Sequence, residues 1–236
     1  MFKPIRPKRI SDQVFEQLKD LIFKGHLKPG EKMMTERDLA QALGVSRPTV
    51  REAINRLVNL GVVEHRQGQG TFVKSPSDDS EKNPLAAIIS DPEFDLVELL
   101  EVRLGLECNA ATLAAQRAME EDIRALRSCL EDMISEVEQR GLGSDADVCF
   151  HMAIAFATGN AVHIRIMRSL YDMMFYGIRQ NLQHLYTEPD NLQEIVRQHT
   201  AVFDAISNRA PDAAFEAMKH HIHYVLDFFR KQSPGA

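Results

Sequence analysis

The sequence predicts a mainly α protein: an N-terminal winged helix-turn-helix with a small β-hairpin wing, followed by a C-terminal all-α antiparallel helical bundle. Three observations carry this prediction. Apolar residues follow helical spacing through almost the whole chain. Strand signal is confined to "GVVEHRQGQGTFV", residues 61–73, where two short β-branched runs flank a Gly/Gln turn. Charge is divided: residues 1–74 hold 14 Lys+Arg against 8 Asp+Glu, and residues 75–236 hold 14 against 26. The basic part suits a polyanionic partner and the acidic part does not.

At 236 residues the chain is long enough for two hydrophobic cores. The boundary falls in "KSPSDDSEKNP", residues 74–84, which is polar, carries two prolines and has no hydrophobic period. The expected division is a winged helix-turn-helix at 1–74, a linker at 75–90 and a helical domain at 91–236. A hydrophobic content of 44% with 26% charged residues is that of a soluble globular protein. The basic start "MFKPIRPKRISDQ" is followed by no apolar segment of signal-peptide length, and no 18-residue uncharged run appears elsewhere. The expectation is a cytoplasmic protein without a membrane partner. Cys108, Cys129 and Cys149 fit no CxxC pattern and are odd in number, so they are expected to be reduced, mostly buried thiols without chemistry of their own.

Helices are expected at about 11–25, 35–43 and 46–60, and after the linker at about 95–118, 120–139, 145–158, 160–186, 188–208 and 211–231. Their starts carry suitable signals: Thr35 with Asp38, Ser46 before Pro48, the acidic turn Glu120-Glu121-Asp122, and Pro211. "TERDLAQAL", a tight "GV" turn and "SRPTVREAINRLVNL" have the order of a helix-turn-helix. Val50, Ala53, Ile54, Leu57 and Leu60 form the packing stripe of the second helix, leaving Arg47, Arg51 and Asn55 on another face. A surface arginine usually only solvates its helix. Here the turn, the local basic charge and a wing containing Gly68 and Gly70 favour contact with DNA, where guanidiniums reach base edges and phosphates.

The segment "LKPGEKMMTERDLAQALGVSRPTVREAINRLVNLGVVEHRQGQGTFV" resembles the winged-helix domain of GntR-type bacterial transcription regulators. The resemblance implies double-stranded operator DNA as partner, with contacts from Arg37, Arg47, Thr49, Arg51 and the wing at Gln67 and Gly68. It also implies a homodimer that reads a palindromic operator.

In the second half, "ADVCFHMAIAFATGN" sets two ionisable groups in an apolar run. Asp147 and His151 are i and i+4 on one helical face, whereas Cys149 points about 200° away from them. A buried Asp-His pair is often only an ion pair. In "NLQEIVRQHTAVFDAI", however, His199 fills a slot in the stripe Leu192, Ile195, Val196, Val202, Phe203 and Ile206. In the last helix the stripe is Phe215, Met218, Ile222, Val225, Leu226 and Phe229; spacing puts His220 toward solvent and leaves His221 and His223 on its opposite edges. Imidazoles and a carboxylate converging in a helical core are costly unless something binds them, and a divalent metal does so. Zinc suits the donors, with manganese, nickel or iron as alternatives.

Another charge interrupts "DLVELLEVRLGLECNAATLAA". Arg103 stands in the stripe Leu96, Leu99, Leu100, Leu106, Ala110 and Leu113 and requires a buried anion. That anion is either a carboxylate of another helix or a ligand carboxylate held by Arg103 and by open metal positions.

Residues 91–230, through "LLEVRLGLE", "DVCFHMAIAFATGN", "RQHTAVFDAI" and "MKHHI", resemble the FadR-type, or FCD, effector domain of GntR regulators. The resemblance implies metal ligands at Asp147, His151, His199 and His221 and an anion-binding role for Arg103. Asn160 is also a family feature, but after Gly159 it reads as a helix cap. "SLYDMMFYGIRQNLQHLY" is similar to regulators of lactate, glycolate and pyruvate use, which implies a small 2-hydroxy- or 2-oxo-carboxylate effector. The expected function is therefore a metal-containing, carboxylate-sensing transcription regulator, a repressor released by its effector, and not an enzyme. Two rivals are a metalloenzyme with an appended DNA-binding domain and a regulator that senses the metal itself.

Overall fold

The computed structural model describes residues 9–23, 26–27, 30–74, 94–139, 144–173 and 189–232. The chain divides into two compact units, Met1–Asp78 and Asp79–Ala236. The first holds α1 (Ile10–Phe23), α2 (Glu36–Leu43), α3 (Arg47–Asn59), β1 (Val63–Arg66) and β2 (Gly70–Val73). The second holds α4 (Leu96–Arg117), α5 (Glu120–Glu138), α6 (Ser144–Ala157), α7 (Ala161–Met173), α8 (Pro189–Ser207) and α9 (Pro211–Gln232). The expected linker at 75–90 lies outside the described residues, as does the part of the expected 160–186 helix beyond residue 173.

In the N-terminal unit α1 packs on α3, burying Val14, Phe15 and Leu18 with Val50, Ala53, Ile54 and Leu57. Each large side chain among them contributes about 1.5–3 kcal/mol by leaving water. Arg56 ties the same two helices at their edge, 4.1 Å above the Phe15 ring and 2.5 Å from Asp12 Oδ1. Thr35 Oγ1 accepts from Asp38 N at 3.2 Å and Ser46 Oγ from Thr49 N at 3.3 Å, so the signalled caps start α2 and α3. Between them Gly44 sits at φ +65°, a left-handed conformation that turns the chain sharply out of α2. The wing is an antiparallel hairpin in register Val63↔Val73 to Arg66↔Gly70, with Val63 and Val73 turned inward.

Among its described residues the C-terminal unit is all helical. α4 packs against α9, α6, α8 and α7, while α5 packs against α6 and α8. The buried face of α4 is Leu100, Arg103, Glu107, Cys108, Ala110, Ala111, Ala114 and Ala115. This corrects the expected stripe: Leu96, Leu99, Leu106 and Leu113 are only half-buried. The small alanines let neighbouring helices approach that face closely, which the longer leucines would prevent. Phe215 departs from its expected stripe in the same way and is 39% exposed, its place on α9 taken by the buried Ala214.

The cysteines require a second correction. Cys129 on α5 and Cys149 on α6 are joined as a disulfide, leaving Cys108 as the free thiol. The two lie 20 positions apart, and only the packing of α5 on α6 brings them together.

Candidate metal and DNA sites

Asp147 and His151 lie one turn apart on α6, His199 on α8 and His221 on α9, and all four are buried. Their ligand atoms lie within 4.8 Å of one another. His199 Nε2 is 3.0 Å from Asp147 Oδ1 and 3.2 Å from His151 Nε2, which is itself 3.8 Å from Asp147 Oδ1. The Nδ1 atoms face separate acceptors. Nδ1 of His199 donates to Ile195 O at 2.8 Å, Nδ1 of His221 to Gln198 Oε1 at 3.0 Å, and Nδ1 of His151 lies against Glu107 Oε2. Gln198 is held in turn, its amide nitrogen donating to Glu194 Oε1 at 2.6 Å.

This arrangement fixes the tautomers. With the protons on Nδ1, each Nε2 carries a lone pair, and these lone pairs share one small volume with a carboxylate oxygen. Nε2 of a neutral His199 cannot donate to Asp147 despite the short distance. Asp147 Oδ1 and His221 Nε2 are correspondingly buried without hydrogen-bond partners. Converging lone pairs repel one another unless a cation lies among them, so these residues fit a metal ion. Burial lowers the pKa of both His151 and His221, favouring the neutral form that ligates metal. For Asp147, burial raises the carboxyl pKa, and nearby positive charge, that of Arg103 included, lowers it by more than burial raises it.

Arg103 is buried beside this cluster. Its Nε contacts Glu107 Oε1, while its Nη2 donates to Tyr171 Oη at 2.7 Å and lies 3.1 Å from His151 Nε2. Tyr171 Oη donates to Glu107 Oε1 at 2.9 Å. Burial raises the Glu107 pKa, but attraction to Arg103 and His151 prevails and brings it down to about 2. The Arg103 cation is likewise disfavoured by burial and restored by Glu107, with a net upward shift. The protein carboxylate facing Arg103 therefore belongs to its own helix, one turn on, and not to another helix, which was one of the two alternatives left open. Glu107 and Tyr171 were not singled out in the sequence. Glu107 had a visible signal, its i+4 spacing from a misplaced cation; Tyr171 had none.

In the N-terminal unit Arg37, Arg47, Arg51, Gln67 and Gly68 are all exposed, and Thr49 is half-buried with its hydroxyl 2.7 Å from Ser46 Oγ. Arg47 and Arg51 leave α3 away from its buried Val50, Ala53, Ile54 and Leu57. Gly68, at φ +71°, turns the tip of the wing beside Gln67. Arg51 also pairs with Glu36 of α2, a partner that helical periodicity did not reveal. In the other unit, Asn160 Oδ1 accepts from Val162 N and His163 N at 3.0 and 3.2 Å, capping α7, while His223 is half-buried and outside the ligand cluster.

Residues 10–73 match the family described as bacterial regulatory proteins, gntR family, and residues 98–224 match the FCD domain. The "Putative L-lactate dehydrogenase operon regulatory protein" of Escherichia coli (strain K12) is 37% identical over 225 residues, covering 94% of this chain and 86% of the relative. The "HTH-type transcriptional regulator LutR" of Bacillus subtilis (strain 168) is 32% identical over 208 residues, covering 88% and 95%. The "Glc operon transcriptional activator" of Escherichia coli (strain K12) is 32% identical over 221 residues, covering 92% and 87%. Among solved structures, "Streptococcus agalactiae GntR" has a TM-score of 0.53 and 27% identity, covering 92% of this chain and 99% of that one. These relatives are transcription regulators, not enzymes. The chain belongs to the GntR family of bacterial transcription regulators and carries an FCD effector domain after its helix-turn-helix.

Proposed function

We propose that this regulator holds a divalent metal, zinc in the first instance, at Asp147, His151, His199 and His221, and senses a small 2-hydroxy- or 2-oxo-monocarboxylate beside it. The observation that carries the reading is the convergence of ligand lone pairs on one buried point adjacent to the Arg103 guanidinium. With neutral histidines, the buried charges of Arg103, Glu107 and Asp147 sum to minus one, and a divalent ion turns this into plus one. One carboxylate neutralises the remainder, whereas a dicarboxylate overshoots it. A bound ion would supply open coordination positions for a carboxylate oxygen and its neighbouring 2-oxygen. Lactate, glycolate and pyruvate all have this form, and the name of the L-lactate dehydrogenase operon relative supports that class.

Arg103 couples the two binding events. Its Nη2 now faces the Nε2 of His151 at 3.1 Å. Once His151 commits that lone pair as a ligand, an Arg103 N–H is released for an anion, while Glu107 keeps the guanidinium in place. Effector affinity therefore depends on metal.

The N-terminal units of a homodimer would read a palindromic operator through Arg37, Arg47, Thr49, Arg51, Gln67 and Gly68. The effector acts by binding the DNA-competent and DNA-incompetent arrangements with different affinity, since equal affinity shifts nothing. The protein is then a repressor released by its effector. A thermal-shift screen of the metal-loaded protein against mono- and dicarboxylates tests the site: selective stabilisation by 2-hydroxy or 2-oxo monocarboxylates is expected, and indifference to all of them would overturn it. No helix among the described residues is long and apolar enough to cross a membrane.

A further inference from the structure

A carboxylate stands among the residues assigned to DNA. Glu36, in the first turn of α2, accepts from Arg51 Nε at 3.0 and 3.1 Å and from Arg51 Nη2 at 2.7 Å. Its carboxyl pKa is lowered, first by the Arg51 hydrogen bond and further by the charges of Arg51 and Arg47. A negative charge on a surface that meets phosphates weakens binding to any duplex. Its effect on Arg51 is different. Glu36 occupies the Nε/Nη2 edge of the guanidinium and so fixes the plane of the group, leaving the Nη1/Nη2 edge as the second pair of parallel donors. Reading the O6 and N7 of guanine requires one such edge at a set orientation, whereas a phosphate accepts a guanidinium from almost any direction.

We propose that Glu36 is a positioning residue for base recognition: it holds Arg51 in the orientation that reads a base edge and keeps it from settling on phosphates. The inference rests on Arg51 being a base-reading residue. Glu36 thus raises discrimination while lowering affinity for non-specific DNA. It is charge-complementary to Arg51 and not to the nucleic acid.

The test uses the full-length protein and an operator selected by the wild type from random duplexes. Affinity is measured for this operator, for each single-base variant and for a non-specific duplex across a salt series. Glu36→Gln is expected to bind the non-specific duplex more tightly, with a salt slope steeper by about one released counterion. Its discrimination at the base pair read by Arg51 should fall by roughly 5-fold or more. Glu36→Asp should restore part of the discrimination. In an Arg51→Ala background Glu36→Gln should leave base preference unchanged, a result that a general folding defect would not produce. Wild-type base preference at every position in Glu36→Gln overturns the proposal, as does an equal loss with or without Arg51. If Arg51→Ala alone leaves base preference intact, the recognition assignment itself is wrong and this inference falls with it.

Discussion

Glu107 stands between the Arg103 guanidinium and the His151 imidazole, giving one oxygen to each. It is the link between the cation expected to hold an effector and a residue expected to hold a metal. Glu107→Gln keeps the shape but removes the charge that orients His151. Metal affinity should fall by about 10- to 100-fold, as for other carboxylates behind a ligating histidine, measured by competition with a chromogenic chelator. Glu107→Ala should also destabilise the fold by about 3–5 kcal/mol, because it leaves Arg103 buried without its carboxylate. Unchanged metal affinity in Glu107→Gln would remove it from the site.

Elemental analysis of His199→Ala and His221→Ala should show loss of bound metal, whereas His223→Ala should keep it. This contrast matters because helical spacing alone left His221 and His223 equivalent. Full occupancy in His221→Ala, or loss in His223→Ala, would reassign the fourth ligand.

Acid should destabilise the metal-free protein earlier than ordinary carboxylate titration would. His151 and His221 have folded pKa values below the ordinary 6.5, so the unfolded chain binds more protons as pH falls through that value. Their contribution to stability is present above pH 6.5 and is lost progressively below it. Glu107 contributes in the same direction only at lower pH, between its ordinary 4.5 and about 2. Denaturant melts from pH 8 to pH 5 should show falling stability, with a shallower slope in His221→Gln. A flat profile over that range would contradict neutral burial of the two imidazoles.

Arg51→Ala should weaken operator binding by about 1–3 kcal/mol and relax base preference at one position of each half-site, read by competition with single-base operator variants. An unchanged footprint and affinity would remove α3 as the recognition helix.

The features legible in the sequence were those set by local rules. Caps at Thr35 and Ser46, the turn at Gly44 and the i,i+4 pair Asp147 and His151 depend on neighbours within one or two turns. His199 was visible because an imidazole replaced an apolar residue in a periodic stripe. Glu107 is hard to read from the sequence because apolar spacing in α4 points to its leucines, whereas its alanine-rich face is the buried one. Tyr171 and the Cys129–Cys149 pair depend on which helices pack together, and periodicity within a helix does not encode that. The Glu36–Arg51 pair, 15 positions apart across the turn, is hidden for the same reason.

In the proposed function, metal and Arg103 together create the effector site. This is tested most directly by operator affinity as a function of lactate, glycolate and pyruvate, measured for metal-loaded protein, chelator-stripped protein and Arg103→Lys. At least one of these acids is expected to shift operator affinity by about tenfold or more in the metal-loaded wild type. Stripped protein and Arg103→Lys should respond weakly or not at all, since lysine keeps the charge but loses the planar fork. An equal response after metal removal, or no response to any of the acids in the loaded protein, would contradict it.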